Sequence, residues 1–298
     1  MKILLIGKTG QVGQELTRSL LPLGDLTALD ESQLNLRNHQ AVISTLAQLK
    51  PDVIVNAAAY TAVDKAEAEK EIAWDINATV VGTIAEYAKK HDALFVHYST
   101  DYVFNGEKKT AYQETDPTNP LNVYGASKLA GEQAIAASGC RHLTFRTSWV
   151  FSAHGHNFIK TIFKLARDKT SLSIINDQLG APTSAELLAD VTAHAIIAHQ
   201  QNQFASGLYH LTANGVTSWH GLACYMLEQT KKHQINFALK SSNIQPILSA
   251  AYPVSATRPK NSQLDTSHLS KQLNITLPDW TAYVDRMINQ LIQMRFFA

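Results

Sequence analysis

Lys2-Ile3-Leu4-Leu5-Ile6-Gly7-Lys8-Thr9-Gly10-Gln11-Val12-Gly13 opens the chain, and its reading decides the fold class. The apolar run Lys2 to Ile6 has the pattern of a parallel strand buried on both faces. Three glycines follow at G-x-x-G-x-x-G spacing, and Val12, Leu16, Leu20 and Leu23 then recur at helical intervals. Strand, glycine turn and helix is the context a dinucleotide site requires. The glycines allow a tight turn and close approach of a pyrophosphate, and the helix N-terminus offers free N–H groups and a favourable dipole. An ordinary glycine-rich βα turn is the plain alternative.

Outward from this stretch the same rhythm continues. Leu26 to Leu29 reads as a second strand ending in Asp30, where a carboxylate can accept from ribose hydroxyls and favour NAD; Lys8 and Arg37 stand close enough in sequence to answer a 2′-phosphate instead. Cofactor preference stays open at this point. Asp52 to Asn56, Ala93 to Tyr98 and Leu143 to Arg146 read as strands, and Asn38 to Leu49, Ala66 to Lys90 and Leu121 to Ala137 as helices, with Pro51 and Pro120 at helix boundaries. This predicts an α/β fold: a doubly wound parallel, Rossmann-like sheet over residues 1–151. Residues 152–298 form a smaller, less regular C-terminal substrate lobe, some of which can return to the sheet. Helices are expected at Phe158 to Arg167, Ser184 to His199 and Trp219 to Lys232. Thr183 is read as an N-cap paired with Glu186 in a capping box, and Ser218 as a second N-cap.

Composition narrows the function classes. The chain has 298 residues, 45% of them hydrophobic, and a formal charge of +1, which supplies no electrostatic footprint for a nucleic acid polymer or an anionic membrane. The pairs Lys108-Lys109 and Lys231-Lys232 read as solvated loop or helix-end charges. No apolar stretch approaches a membrane span, and strand one begins where a signal-peptide core would stand. Cys140 and Cys224 lack a C-x-x-C partner and read as buried small hydrophobes. These features lead to an expected cytoplasmic location. His154-Gly155-His156 reads as a polar cleft loop in preference to a metal tract, and the charged run Lys65 to Glu71 as a solvated helix face.

Tyr124-Gly125-Ala126-Ser127-Lys128 carries the chemistry. Four-residue spacing puts both side chains on one helix face, where an ammonium is expected to pull a phenol down from its usual value near ~10. The strand ending at Tyr98 runs into Ser99-Thr100-Asp101, at the carboxyl edge where open α/β sheets bind ligands. Thr100, Tyr124 and Lys128 together supply an oxygen clamp, a proton donor and a tuning charge. Hydride transfer to a ketone needs those parts, because the carbonyl oxygen gains negative charge as hydride arrives.

With Asn56-Ala57-Ala58-Ala59, these runs resemble the extended short-chain dehydrogenase/reductases. Thr61 to Glu67, Tyr98 to Phe104, Pro120 to Gly125, Arg146 to Val150, Asn176 to Thr183 and Arg258-Pro259-x-Asn261-Ser262 bring the chain closer to one branch. That branch reduces dTDP-linked 4-keto-6-deoxysugars, and the resemblance covers nearly the whole chain. It implies reduction of the 4-keto group of dTDP-4-dehydro-L-rhamnose to dTDP-L-rhamnose with NADPH or NADH, by a monomer or homodimer. Carried over residue by residue, Tyr124 is the proton donor, Thr100 contacts the reacting oxygen, and Lys128 holds the nicotinamide ribose. Gly7, Gly10, Gln11, Val12, Asp30, Asn35, Leu36 and Ala59-Tyr60-Thr61 fall in the cofactor set. Relatives often carry an acid where Asn35 stands, although an amide also hydrogen-bonds a base. Thr100, Asp101 and Trp149 fall to the sugar nucleotide, joined by Asn157, Gln178 and Arg258, whose guanidinium suits phosphate. Some members of the branch bind Mg²⁺ between subunits, through carboxylates at the positions of Glu15 and Glu186. A third acid is not evident in the tail Leu291 to Ala298, which weakens a hard-cation site, and Glu186 also reads as a capping carboxylate.

Two rival functions follow from the same residues. A sugar-nucleotide dehydratase or epimerase of the superfamily resembles the chain, but dehydratases follow the threonine with Asp and Glu, and here Asp101 is followed by Tyr102. A non-catalytic NAD(P)-binding regulatory subunit would keep the fold without needing Thr100, Tyr124 and Lys128 together.

Overall fold

In the computed structural model, which describes residues 1–297, six parallel strands form one sheet. β1 (Lys2–Ile6), β2 (Asp25–Leu29), β3 (Val53–Asn56), β4 (Leu94–Thr100) and β5 (His142–Thr147) are joined at one edge by Gly207–His210. The spatial order is Gly207–His210, β5, β4, β3, β1, β2, with Leu5 registered between Ala28 and Val55, and Val55 beside Val96. From β1 the chain moves first to one side and then to the other, so the crevice at the carboxyl ends of β1 and β3 is the switch point where α/β sheets take ligands.

The inner strands carry buried apolar side chains on both faces because helices cover both. Ile3, Leu5, Val53, Val55, Val96 and Phe145 enter one core with α1 (Gln11–Leu20) and the helix Ala185–Gln200. Leu4, Ile6, Ile54 and Phe95 enter the other, with α2 (His39–Leu49) and the helices Val80–Lys90 and Val123–Ser138. Each such side chain taken fully out of water contributes roughly 1.5–3 kcal/mol, more than an exposed ion pair at about 0–1 kcal/mol, so these two layers hold the fold.

Beyond Phe151 the chain both leaves and re-enters this body. Ala185–Gln200 packs on α1, where Arg18 and Ser19 both donate to Asp190, at 2.7 and 3.0 Å. Gly207–His210 then pairs with β5. The smaller lobe is held by short pairings: Leu172–Ile175 with Ile244–Ile247, Leu179–Gly180 with Thr217–Ser218, and Val150–Phe151 with Thr183–Ser184. The helices Phe158–Asp168, Trp219–Lys232 and Trp280–Gln293 pack around them.

Two local expectations are corrected. The N-cap of Ala185–Gln200 is Ser184, whose hydroxyl accepts from the Glu186 N–H; Thr183 lies in a strand and gives its hydroxyl to the Ala181 carbonyl. The stretch Ala66 to Lys90 is not one helix. It holds the short helices Val63–Ala66 and Lys70–Trp74, a π-helical turn at Asp75–Thr79 and the helix Val80–Lys90. The turn places Asn77 so that its amide accepts from Tyr60 N and donates to Tyr60 O and Ser127 Oγ, and those bonds outweigh regular helix. Among the described residues no helix is long and apolar enough to cross a membrane. Ala298, the last residue of the tail read above, lies outside the described residues.

Candidate active site

A cavity of about 550 Å³ lies over the carboxyl ends of β1, β3, β4 and β5. Its floor at one end is the glycine loop. Gly7 has φ +88°, in the region that favours glycine, and a Cβ there would meet Ala58 N at 2.8 Å. At Gly13 a Cβ would lie 2.0 Å from the Gly7 carbonyl, so only glycine lets α1 approach the turn this closely. No side chain caps α1 and its first turn carries no acid, so its N–H groups face the cavity free for an anion. Gly7, Gly10, Gln11, Val12, Asp30, Asn35, Leu36, Ala59 and Thr61 all line the cavity. This donor set fits a dinucleotide.

Tyr60 is the exception in that stretch. Its backbone is tied to Asn77, and its hydroxyl donates to Glu69 at 2.5 Å, which pushes the phenol up to about 12 and turns the ring away from the cavity wall. Asp30 accepts from Ser32 N and Oγ through one oxygen, and its other oxygen lies 3.4 Å from Lys8 Nζ. Arg37 leans towards Asp75 at 3.8 Å. Of the two cations read as answers to a 2′-phosphate, Lys8 therefore stands beside the carboxylate that would contact a ribose.

At the other end β4 delivers Thr100 and Asp101, and the helix Val123–Ser138 delivers Tyr124 and Lys128, all into the same cavity. Asn122 starts that helix by accepting from Gly125 N at 2.8 Å, while its amide holds the Thr257 carbonyl. Thr100 Oγ1 donates to Asp101 Oδ1 at 3.0 Å and accepts from Tyr102 N at 3.2 Å. Burial pushes the Asp101 carboxyl up to about 7, against the hydrogen bonds of Ser262 and Thr100. Lys128 is 1% exposed, with Nζ 3.0 Å from Nε2 of His97; burial pushes the amine down to about 8, opposed by Glu132. His97 is itself held well below its ordinary range by burial and then by Lys128, so it is neutral. Behind them Glu132 is committed to Arg146 through two hydrogen bonds, at 2.9 and 2.7 Å.

The expectation that Lys128 would pull the Tyr124 phenol down is corrected. Burial dominates and pushes Tyr124 up to about 12, with the Thr100 hydroxyl pulling the other way and Asp101 reinforcing the rise. Removing a phenolate from water costs more here than the Thr100 hydrogen bond returns.

On the substrate side Trp149 lines the cavity, in the left-handed region at φ +49°, and stacks on Trp219 with ring centroids 3.6 Å apart. Gly180 makes room for the stack, since a Cβ there would lie 2.8 Å from the Trp149 ring. Trp219, Ser99 and Thr147 also line the cavity, although the sequence reading gives none of them a ligand contact. Three expected contacts do not reach the wall. Asn157 caps the helix Phe158–Asp168 and donates to Gln11 Oε1 at 2.8 Å, so its amide is spent on structure. Gln178 accepts from Trp219 Nε1 at 3.1 Å and donates to Ser249 Oγ, buttressing the aromatic pair from behind. Arg258 pairs with Asp64 at 2.7 Å.

Glu15 and Glu186 lie on α1 and the helix packed against it, outside the cavity. Glu186 accepts from Arg286 Nε at 2.7 Å and Gln290 Nε2 at 2.9 Å, and Arg18 lies 3.5 Å from Glu15. Guanidinium groups answer these carboxylates, and among the described residues no cluster of three acidic, histidine or cysteine side chains could hold a metal. Burial and then the neighbouring Glu186 push the Glu15 carboxyl up, and within this chain the two carboxylates offer only part of the oxygen set a Mg²⁺ takes.

Comparison with known proteins agrees with this geometry. The family model described as RmlD substrate binding domain matches residues 1–293. A dTDP-4-dehydrorhamnose reductase of Salmonella typhimurium is 51% identical over 295 residues, covering 98% of each chain. Among solved structures, a dTDP-4-dehydrorhamnose reductase from Clostridium acetobutylicum superposes with a TM-score of 0.89 at 32% identity, covering 98% of this chain and 99% of that one. One from Bacillus anthracis, in complex with NADP, gives 0.86 at 30% identity, covering 97% and 100%. A glycine loop, a Thr100/Tyr124/Lys128 group in one cavity and matches along nearly the full length place the chain in the dTDP-4-dehydrorhamnose reductase family.

Proposed function

We propose that this chain catalyses the NAD(P)H-dependent reduction of the 4-keto group of dTDP-4-dehydro-L-rhamnose, giving dTDP-L-rhamnose. The observation that carries the reading is the meeting of Thr100, Tyr124 and Lys128 in the same cavity as the glycine loop, in a chain of this family. A reduced nicotinamide, when bound, supplies the hydride. Gly7, Gly10, Gln11 and Val12 receive the pyrophosphate end, and Asp30, Asn35 and Leu36 the adenosine end.

Tyr124 holds a proton at its hydroxyl oxygen. A phenol pushed up to about 12 stays protonated at neutral pH, the form a reductase needs, and remains far more acidic than the alcohol being formed. The carbonyl carbon gains hydride, its oxygen takes the Tyr124 proton, and C=O becomes CH–OH. Thr100 steadies the reacting oxygen, and Trp149 borders the sugar. Lys128 carries its charge below about pH 8 and loses it above. Asp101 and Tyr102 supply one carboxylate where an elimination would need two, which supports simple reduction. Two free cysteines, with no disulfide among the described residues, support a cytoplasmic location.

Offering dTDP-4-dehydro-L-rhamnose with NADPH and with NADH, and following the loss of nicotinamide absorbance, tests the reading. Net consumption of one cofactor is expected, with turnover falling as pH rises through about 8 as Lys128 deprotonates. Absence of consumption with both cofactors would sink the proposal.

A further inference from the structure

Three buried polar atoms in residues lining the cavity have no hydrogen-bond partner among the described residues: Ser99 Oγ, Asp101 Oδ2 and Thr147 Oγ1. A buried hydroxyl left unpaired is costly, and such atoms are rare enough to need a reason. Asp101 already belongs to the proposed site. Thr147 has no role so far, although it is 7% exposed and stands at the end of β5.

The sheet register pairs Thr147 with Thr100. Neighbouring strands lie about 4.8 Å apart and registered residues point to the same face, so the two side chains stand side by side at the carboxyl edge. They differ in what they already do. Thr100 Oγ1 donates to Asp101 and accepts from Tyr102 N, while Thr147 Oγ1 does neither with any partner. The next hydroxyl along, Ser148 Oγ, is satisfied by the Ala181 carbonyl. A side chain needed only to fill this space would serve better as valine, which has the same shape and no hydroxyl to strand.

We propose that Thr147 is a ligand-binding residue of the reduction site, its hydroxyl exchanging hydrogen bonds with a polar group beside the reacting carbonyl. A ring hydroxyl of the sugar and the carboxamide of the nicotinamide both offer a donor and an acceptor, and the experiment separates them. The inference rests on the reductase reading above.

Thr147→Val and Thr147→Ser are compared with the wild type for kcat, both KM values, the Kd for NADPH and the thermal midpoint. Thr147→Val should keep or raise the midpoint, because a stranded hydroxyl is gone, yet lose about five- to tenfold in kcat/KM. Thr147→Ser should stay within about threefold of wild type. A raised KM for the sugar nucleotide with unchanged NADPH binding identifies the sugar hydroxyl; weakened NADPH binding identifies the carboxamide. Wild-type kinetics and NADPH affinity in Thr147→Val overturn the inference, as does an activity loss that tracks a lowered midpoint in both variants. A wild type that consumes no cofactor with this sugar overturns the reductase reading instead, and the NADPH arm still judges Thr147.

Discussion

The glycine-loop side of the cavity and its aromatic side are assembled differently. The first is mostly backbone from one short stretch: Gly7, Gly10, the first turn of α1 and the facing Ala57-Ala58-Ala59 loop, which Asn56 holds by accepting from Ala58 N. Its donors exist because a helix begins there, and its close contacts tolerate no side chain. The aromatic side is made of side chains from distant elements. Trp149 follows β5, Trp219 begins a helix of the smaller lobe, Gly180 gives them room, and Gln178 and Ser249 prop them from behind. A backbone-built site accepts the part of a ligand common to many enzymes, whereas a site built by side chains is where one substrate is chosen over another.

The sharpest test of this contrast sits at the seam between the two sides. Tyr124→Phe should lower turnover on the order of a hundredfold or more, with NADPH binding nearly unchanged, because only the proton donor is removed. Rapid turnover in that variant would take Tyr124 out of its role. Trp219→Ala addresses the aromatic side alone. Its KM for the sugar nucleotide should rise roughly tenfold while NADPH binding holds, since stacking contributes about 0.5–1.5 kcal/mol and the left-handed Trp149 loses its support. An equal loss of cofactor affinity would show the two sides to be one structure. The smallest effect is expected at Asn157→Ala, where a lost helix cap costs about 1 kcal/mol of stability, readable in denaturant unfolding, and leaves the substrate KM in place. A large KM change would return Asn157 to the substrate site.

The same contrast explains what was legible beforehand. β1 to β5 are legible close to their observed ends because each centres on a few apolar residues between turn signals. Ser218 was read correctly as a cap because its hydroxyl acts on Gly221, within the same turn. Thr183 was mistaken for its neighbour Ser184, since both offer a hydroxyl before the helix and only the strand pairing of Thr183 with Val150 separates them. The π-helical turn was hidden because its cause lies elsewhere in the chain, in Tyr60 and Ser127. Trp219 carried no local mark at all; it became part of the site only when Trp149 was brought against it.

The sheet, the nucleotide loop and the Tyr124/Lys128 spacing were determined by the sequence alone, because each depends on periodicity or on steric limits within a few residues. Tertiary structure alone decided that Asn157, Gln178 and Arg258 bond to protein, that guanidinium groups answer Glu15 and Glu186, and that Tyr124 keeps its proton. Those outcomes depend on burial and on partners brought together across the chain. A side chain's type lists the bonds it is able to make, and only its surroundings determine which of them form.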